Sequence, residues 1–266
     1  MHPPAISVII CSIDERKFAA VSSNYRALLA NTPHEIIGIH DARSLAEGYN
    51  RGVREAQGEL LIFSHDDIEI VSVDFCGALR RAAEVLDVFG VIGTSKLVWA
   101  FWPAAGHPHL HGWIAHPTAE GNGCEVSVYG VDGPVTTGLQ ALDGVFFAAK
   151  REVVERVPFD EATFDGFHGY DVDFTFATHL AGFRVGTTAE IALVHASSGH
   201  FGPEWERYAV KLDVKYAERL TGNHEIGNWA SVRRVLASRH AIARECTLER
   251  LMAVTRHLRA QVPRDE

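Results

Sequence analysis

Residues 44–70 read SLAEGYNRGVREAQGELLIFSHDDIEI, and this stretch decides the fold prediction. Ser44, with Glu47 three residues later, forms a capping-box pattern, which predicts that a helix begins here and continues to about residue 57. The apolar run Leu60–Ser64 follows almost immediately and is typical of a buried strand. A helix that leads directly into a buried strand indicates an α/β protein, in which strands and helices alternate.

The same alternation extends through most of the chain. Predicted strands lie at residues 6–11, 35–40, 60–64, 91–93, 144–149, 184–186 and 191–195, with helical patterns between several of them. Such units predict a mainly parallel central sheet with helices on both faces. Residues 97–140 lose the pattern and are rich in Gly, Pro, His and Trp, so we expect an irregular insertion there, with at most short alternating strands such as Cys124–Tyr129. The sequence therefore predicts one α/β domain over residues 1–203 and a C-terminal helical extension over residues 204–266.

Composition and charge exclude several classes of protein. The chain has 266 residues, of which 47% are apolar and 22% charged, as in an ordinary globular domain. Its 25 Lys and Arg against 34 Asp and Glu give a net charge of −9, which does not favour a nucleic-acid partner. The four cysteines lie in separate segments without a C-x-x-C pair, and no apolar run is long enough to span a bilayer. We therefore expect a cytoplasmic protein without disulfides.

The sequence also lacks the motifs of several common enzyme classes. It contains no G-x-x-x-x-G-K-[ST], no G-x-G-x-x-G after the first strand, no G-x-S-x-G and no H-E-x-x-H. Walker-type nucleotide hydrolysis, dinucleotide oxidoreduction and α/β-hydrolase chemistry therefore lose support.

The strongest local signal is the acidic cluster His65-Asp66-Asp67, which follows the predicted strand Leu60–Ser64. Ligands of open α/β sheets bind beyond the carboxyl ends of the strands, so these carboxylates are expected in the binding crevice. Two adjacent carboxylates repel each other, and a divalent cation such as Mg²⁺ or Mn²⁺ relieves that repulsion while bridging to a substrate diphosphate. The alternative is a solvated turn or a helix cap.

Two further segments carry candidate side chains. Asp171 and Asp173 open the helix that follows Gly169, and their spacing makes them face different directions. Either carboxylate could act as a general base towards a hydroxyl, or simply cap the helix. His195 ends the strand predicted at residues 191–195 and is a candidate metal ligand that favours Mn²⁺ over Mg²⁺. A structural histidine is the alternative, and His200 is a competing ligand.

The insertion is rich in aromatic residues and histidines. Aromatic faces suited to stacking on sugar rings are offered by Trp99, Phe101, Trp102 and Trp113, although burial beneath a loop explains them equally well. The H-x-H-x-H spacing of His107, His109 and His111 could bind zinc, but Pro108 argues for an irregular backbone there.

The segment from Trp229 to Ala260 has a local excess of positive charge, because it contains seven arginines and two glutamates. Basic amphipathic helices favour anionic lipid surfaces, which predicts peripheral contact with the inner face of a membrane. The alternative is a solvated face whose apolar residues Leu251, Val254 and Leu258 pack on the α/β domain or on another subunit. An oligomer is therefore also possible.

Five segments, in their order along the chain, closely resemble segments of the family 2 glycosyltransferases, in the branch that carries an H-D-D motif. They are ISVIICS (6–12), the stretch 44–70, LDGVFFAAKREVVERVPFDE (142–161), GYDVDFTFATHLAGFRV (169–185) and LVHASSGHFG (193–202). The resemblance covers about residues 5–203 and implies a GT-A fold, with residues 97–140 on the acceptor side.

The resemblance also implies roles for individual residues. It places in the nucleotide pocket Cys11, Ser12, Ile13, Asp41, Asn50, His65 and Asp66. It implies that Asp67 and His195 bind Mn²⁺ or Mg²⁺ and that Asp171 is the general base. The donor-sugar and acceptor region is assigned Asp143, Gly144 and Tyr170, together with Trp102 from the aromatic cluster.

The activity that the resemblance implies is an inverting, metal-assisted transfer. A sugar passes from a nucleoside diphosphate donor, a UDP-sugar, to a hydroxyl of a glycan or lipid-linked glycan, as in polysaccharide biosynthesis. The sequence departs from the family pattern twice: His65 replaces the first acid of D-x-D, and Tyr170 replaces the glutamate before the base. These departures leave open the alternative of an inactive nucleotide-sugar-binding scaffold.

Overall fold

The computed structural model describes residues 5–220 except 198 and 200, residue 227, and residues 231–236 and 238–260. Its strands are β1 (Ile6–Cys11), β2 (His34–Ile39), β3 (Leu60–Ser64), β4 (Ile68–Ile70), β5 (Val88–Gly90), β6 (Ile92–Thr94), β7 (Leu110–Pro117), β8 (Cys124–Gly130), β9 (Val135–Thr137), β10 (Ala141–Leu142), β11 (Phe146–Lys150), β12 (Val185–Thr188), β13 (Leu193–His195) and β14 (Val232–Leu236). Its helices are α1 (Glu15–Leu28), α2 (Leu45–Glu55), α3 (Phe75–Val85), α4 (Arg151–Arg156), α5 (Tyr170–Leu180), α6 (Pro203–Lys215), α7 (Arg239–Glu245) and α8 (Leu248–Ala260).

The first sheet has the strand order β2-β1-β3-β11-β5-β12-β9. The predicted α/β fold is confirmed, and β1 pairs in parallel with both β2 and β3, as expected from the helices between them. The other half of the sheet is mixed, because β11 runs antiparallel to β3 and β5. β11 enters this sheet from β10 without a helical crossover, which is why it can run in the opposite direction.

The predicted capping pattern of α2 is observed. The Ser44 hydroxyl accepts a hydrogen bond from the backbone N–H of Glu47 (3.1 Å), and the Glu47 carboxylate accepts one from the N–H of Arg43 (3.1 Å). Gly52 then lets α2 approach β1 closely, since a methyl group at this position would overlap Ile9. These local features fix α2 against the sheet and bring its N-terminus to the edge where β1 ends.

A second sheet contains the strands β10-β6-β7-β13-β4, with β8 paired to β7 and β14 paired to β8. The prediction of an irregular segment over residues 97–140 is therefore wrong for β7, whereas β8 lies where a short alternating strand was expected, and the two strands pair along most of their length. The first six residues of β7 are all buried, so this strand shows no polar–apolar alternation that could reveal it in the sequence. Trp113 packs in the core of this sheet and donates its indole N–H to the Ala189 carbonyl (2.9 Å), so it is not part of an exposed aromatic platform.

The C-terminal extension is helical as predicted over α6, α7 and α8, but it also contributes β14 to the second sheet. Leu251 and Leu258 of α8 are buried, and the Thr255 hydroxyl accepts a hydrogen bond from the Val131 N–H (2.7 Å). The extension therefore packs on the second sheet, which was one of the two alternatives for its apolar residues. The domain boundary at residue 203 stays a prediction.

Ion pairs within the chain use several arginines of this extension. Arg234 pairs with Glu245 (2.6 Å), Arg259 pairs with Asp132 (2.6 Å), and Arg239 pairs with Glu69. Trp229, where the basic segment begins, lies outside the described residues. In the described part of the chain, no helix has the length and apolar character that a bilayer crossing requires.

Candidate functional site

The parallel strands β1, β2 and β3 end at the same edge of the first sheet and bring three polar segments together. The Ser12 hydroxyl donates to the Asp66 carboxylate (2.7 Å), which ties the end of β1 to the end of β3. The His40 Nδ1–H donates to the Ser12 carbonyl (2.8 Å), which adds the end of β2. The Lys17 ammonium lies 3.9 Å from the other Asp66 oxygen. This edge therefore collects hydrogen-bonding groups and one cation around Asp66.

The other residues assigned to the nucleotide pocket lie in different environments. Burial raises the pKa of Cys11 to about 12, so its thiol is protonated at neutral pH. Ile13 is 89% exposed, and Asp41 forms an ion pair with Arg51 (2.7 Å). Asn50 is directed elsewhere, because its side-chain amide exchanges hydrogen bonds with the backbone of Phe159 (2.9 and 3.1 Å). Asn50 therefore fastens α2 to the loop after α4, and its predicted contact with the nucleotide stays a prediction.

Two histidines and one carboxylate converge beside this edge. The antiparallel pairing of β4 with β13 sets His195 opposite Ile68 and so beside Asp67. His195 Nε2 lies 3.2 Å from Asp67 Oδ1, and His65 Nδ1 lies 3.4 Å from His195 Nε2 and 3.9 Å from Asp67 Oδ1. Among the described residues, these three side chains form the group that could hold a metal ion. The histidines at 107, 109 and 111 do not form such a group, and His200 lies outside the described residues.

The protonation states of this group suit a metal ion. Burial disfavours ionisation of Asp67, but the hydrogen bond from His195 opposes this effect, and the pKa of Asp67 lies below its usual range. Burial, together with the neighbouring His195, lowers the pKa of His65. An ionised carboxylate and a neutral imidazole are the forms that coordinate metals. Two imidazole nitrogens with one carboxylate oxygen fit a transition-metal ion such as Mn²⁺ better than Mg²⁺.

Two other side chains support the histidines. His65 Nε2 lies 3.0 Å from the Tyr170 hydroxyl, on the ring edge away from Asp67. His116 packs against His195 with ring centroids 5.5 Å apart, and its Nδ1–H donates to the Ser197 carbonyl (3.0 Å). Such contacts orient metal-binding histidines in other proteins. No pattern in the sequence separates His116 from the other histidines of residues 107–116.

Asp171 lies in the first turn of α5. Gly169 precedes it with φ of 75°, a left-handed conformation that favours glycine. Asp171 Oδ2 accepts a hydrogen bond from the Gly144 N–H (2.7 Å), which joins α5 to the loop after β10. Burial and the neighbouring Asp143 raise the pKa of Asp171 to about 7, against the opposing effect of backbone N–H groups. The Asp171 carboxylate can therefore accept a proton near neutral pH.

Asp173 points away from this carboxylate, as the helical spacing predicts. It pairs with Lys215 (2.7 Å) and accepts a hydrogen bond from the Tyr216 hydroxyl (2.7 Å), so it fastens α5 to α6. Of the two candidate bases in this segment, Asp171 is the one that faces the cavity described next.

A cavity of about 780 Å³ opens between the two sheets and α6, and Ser12, Asp66 and Asp67 are not among its described lining residues. Asp171 and Asp143 line it together with His65 and His195. The Trp102 indole N–H donates to the Asp143 carboxylate (3.1 Å), so both of these predicted residues lie at the cavity. Gly144 and Tyr170 also line it, as expected for the donor-sugar and acceptor region. The predicted residues of this region therefore share one cavity, which sequence reasoning could not establish.

The mixed α/β fold matches that of GT-A glycosyltransferase structures, and a comparison with known families assigns the chain to one family. The profile of a family described as a glycosyltransferase-like family matches residues 7–219, and the chain belongs to that family. No curated protein matches the sequence.

Comparison with one solved structure confirms the predicted α/β fold. TarS from S. aureus in complex with UDP-GlcNAc aligns with a TM-score of 0.50 at 13% identity, covering 82% of this chain and 68% of that chain. A mannosyltransferase from Pyrobaculum calidifontis in complex with GDP-Man and Mn²⁺ gives a TM-score of 0.49 at 12% identity, over 98% and 75% of the two chains. GalNAc-T7 with UDP, GalNAc and Mn²⁺ gives 0.47 at 10% identity, over 80% of this chain and 48% of that chain.

Proposed function

We propose that this protein is an inverting glycosyltransferase that moves a sugar from a nucleoside diphosphate donor, a UDP-sugar, to a hydroxyl of an acceptor. One observation carries the proposal: a carboxylate suited to accept a proton, Asp171, faces the same cavity as the histidines of a three-residue metal-binding group. Such a transfer needs one group that stabilises the departing diphosphate and one that removes the proton from the acceptor hydroxyl. Both groups need to lie close to the same donor sugar.

Asp171 acts as the general base in this proposal. The Gly144 N–H holds its Oδ2 atom at 2.7 Å, which leaves Oδ1 for the acceptor hydroxyl. The raised pKa of Asp171, about 7, is close to the value at which a base is both ionised and able to take up a proton. Asp171 removes the proton as the acceptor oxygen attacks the anomeric carbon from the side opposite the diphosphate. A single displacement of this kind inverts the configuration of that carbon.

His65, Asp67 and His195 would hold the metal ion. When bound there, Mn²⁺ counters the negative charge that develops on the departing nucleoside diphosphate. The chain itself prepares this site, because Asp67 is ionised and His65 is kept neutral. His65 thus replaces a carboxylate of the family pattern with a nitrogen donor, while Asp67 keeps one negative charge in the group.

The nucleoside lies, in this proposal, against the edge formed by Ser12, His40 and Asp66. The Asp66 carboxylate is positioned by the Ser12 hydroxyl (2.7 Å) and can accept hydrogen bonds from ribose hydroxyls. Asp41, which pairs with Arg51, lies close to the nucleobase. The nucleoside of the donor then lies beside Asp66, the diphosphate beside Asp67 and the sugar beside Asp171.

The proposal is tested with a panel of UDP-, GDP- and dTDP-sugars. Thermal unfolding of the purified protein is measured with each donor, with and without Mn²⁺, because a ligand that prefers the folded state raises the melting temperature. Release of the nucleoside diphosphate is measured in parallel. We expect one UDP-sugar to stabilise the protein only when Mn²⁺ is present and to be hydrolysed slowly. Stabilisation by no donor, with no release of a nucleoside diphosphate, would overturn the proposal.

A further inference from the structure

The C-terminal extension contributes a side chain to the wall of the cavity. Val235 of β14 lines the cavity, although the family profile matches only residues 7–219. Among the described residues it is one of three largely exposed apolar side chains there, with Phe167 and Phe201. Phe201 in turn contacts Phe101 and Trp205, with ring centroids 5.5 and 5.3 Å apart. Exposed apolar side chains that are grouped around a cavity indicate contact with a ligand.

The side chains of β14 alternate between two environments. Leu236 is 3% exposed and packs in the core that the second sheet forms with α7 and α8, whereas Val235 is 63% exposed and lines the cavity. The paired strand β8 alternates in the same way, with Val126 in that core and Ser127 at the cavity. Successive side chains of a strand point to opposite faces of the sheet. One face of β14 and β8 is therefore held by the extension, and the other face is a wall of the cavity.

Val235 lies at the end of a row of four residues that crosses the second sheet. The pairing of β14 with β8 sets Val235 opposite Glu125, and the pairing of β8 with β7 sets Glu125 opposite His116. The parallel pairing of β7 with β13 brings His116 beside His195, with ring centroids 5.5 Å apart. All four residues of the row line the cavity. The row therefore leads from the candidate metal group to the extension.

The length of this row places Val235 away from the donor. Neighbouring strands lie about 4.8 Å apart, so the three steps from β13 to β14 amount to about 14 Å. In the proposed function the diphosphate lies beside Asp67 and the metal ion, and the donor sugar follows it. A single sugar ring does not extend across three strand spacings. Val235 therefore lies beyond the donor sugar, where the acceptor enters.

The extension fastens this wall to the rest of the second sheet. The Thr255 hydroxyl of α8 accepts a hydrogen bond from the Val131 N–H (2.7 Å), and Arg259 pairs with Asp132 (2.6 Å). Both partners follow directly after β8 in the chain. A side chain on a strand that is packed in this way can select ligands by size, because the strand does not yield to a larger ligand without losing packing.

We propose that Val235 is a specificity-determining residue, and that β14 closes the acceptor side of the cavity. This inference rests on the proposed function. The Val235 side chain limits the size of the part of the acceptor that lies beyond the reacting hydroxyl. The C-terminal extension is then part of the acceptor site, in addition to its packing on the second sheet.

The test uses pairs of glycosides as probes. Binding of the methyl and phenyl glycosides of glucose, galactose, mannose and N-acetylglucosamine to the full-length protein is measured by ligand-detected NMR in the presence of UDP and Mn²⁺. The two members of a pair differ only in the size of the group on the anomeric oxygen. In Val235→Trp we expect the affinity for phenyl glycosides to fall at least about tenfold and that for methyl glycosides to change less than about twofold, since one apolar group in a pocket discriminates at least about tenfold.

The variants are chosen to keep the fold. Val235 is largely exposed and aromatic residues favour strands, so tryptophan can be accommodated at this position. Val235→Ala removes two methyl groups from the wall and should shift the preference towards the phenyl glycosides. Val214→Trp on α6 is the matched control, because Val214 is 72% exposed and is not among the described residues that line the cavity. It should bind both members of each pair as the natural protein does.

Three results would overturn the inference. The first is an unchanged preference between phenyl and methyl glycosides in both Val235 variants. The second is an equal loss of both members of each pair in Val235→Trp, because that result indicates damage to the whole cavity. The third is binding of no glycoside by the natural protein.

Donor hydrolysis by the natural protein separates this inference from the proposed function. A protein that hydrolyses a UDP-sugar, but whose glycoside preference does not depend on residue 235, contradicts only the role of Val235. A protein that neither binds nor hydrolyses any nucleotide sugar contradicts the catalytic proposal. In that case the glycoside preference of the Val235 variants still decides whether β14 bounds a binding site.

Discussion

His65 Nε2 lies 3.0 Å from the hydroxyl of Tyr170, although 105 residues separate the two in the sequence. These are the two positions at which the sequence departs from the pattern of the glycosyltransferase family, and the fold brings them into contact. If His65 Nε2–H donates to the Tyr170 oxygen, the lone pair of Nδ1 is left facing Asp67 and His195. In the proposed metal site the two departures would therefore act as one unit, in which Tyr170 selects the tautomer of His65 that can bind a metal.

Tyr170→Phe removes the partner of His65 Nε2 while keeping the ring. We expect the affinity for Mn²⁺ to fall about 10- to 100-fold, because partners that orient a metal-binding histidine have effects of that size. Titration with Mn²⁺ followed by electron paramagnetic resonance measures this change without relying on activity. Tyr216→Phe is the matched control, since it removes a buried hydroxyl that contacts Asp173 instead. Equal Mn²⁺ affinity in the two variants would show that Tyr170 does not orient His65.

The rate of transfer should depend on the ionisation of Asp171. With a pKa of about 7, Asp171 is mostly ionised above pH 7 and mostly protonated below it. We therefore expect kcat/KM to be level at high pH and to fall about tenfold per pH unit below about 7. Asp143 contributes to the raised pKa, so Asp143→Asn should move the midpoint of the profile to lower pH. A profile that is flat from pH 5 to 8 would contradict the assignment.

The raised pKa of Asp171 also affects the stability of the folded protein. The folded protein holds the Asp171 proton to higher pH than the unfolded chain does, so this residue makes the free energy of unfolding fall as pH rises from about 4 to about 7. Asp171→Asn removes that dependence. We expect the variant to be more stable than the natural protein by about 2 kcal/mol at pH 8 and nearly equal to it at pH 4. Urea unfolding at the two pH values measures the difference, and a less stable variant at pH 8 would contradict the burial of an ionised Asp171.

Asp87 stabilises the end of the first sheet opposite the site. It accepts hydrogen bonds from Arg184 (2.7 and 3.0 Å) and from Lys150 (2.9 Å), and these hold its pKa below the usual range. Asp87→Asn should lower the free energy of unfolding by about 3 kcal/mol at pH 7, because it leaves two cations without their buried partner. The effect should be complete above about pH 4 and should shrink as pH falls further, since the folded pKa is the lower one.

The control for this prediction is Asp74→Asn. Asp74 also pairs with an arginine, Arg81 (3.1 Å), but its side chain is 63% exposed. We expect a much smaller change in the free energy of unfolding than for Asp87→Asn, because exposed ion pairs contribute little and asparagine keeps the N-cap of α3. A loss of equal size in the two variants, measured by urea unfolding at pH 7, would contradict the special role of Asp87.

Much of the first sheet could be predicted from the sequence, and the physical reason is local. The runs that became β1 and β3 are apolar, lie between helical patterns and end in polar residues, so both the strands and the edge at which they end were predictable. The proximity of Asp67 and His195 was implied by the family resemblance, and in the structure it depends on the antiparallel pairing of β4 with β13. Their roles as metal ligands stay predictions.

The second sheet and part of the site could not be predicted. β7 is buried on both faces, so it lacks the alternation that marks a half-buried strand. His65 was assigned to the nucleotide because it occupies a D-x-D position, and only the fold shows that its Nδ1 atom faces Asp67 and His195. Phe201 and Trp205 gave no signal, because their contact with Phe101 bridges 100 residues of sequence.

Asp171→Asn tests the central claim most directly. We expect the transfer rate, measured by release of the nucleoside diphosphate in the presence of acceptor and Mn²⁺, to fall by a factor on the order of 10²–10⁴, the usual contribution of a general base. Donor affinity, measured by isothermal titration calorimetry, should be unchanged, because the variant keeps the residues around Asp66 and Asp67. Full transfer activity in a variant that binds the donor normally would contradict the account.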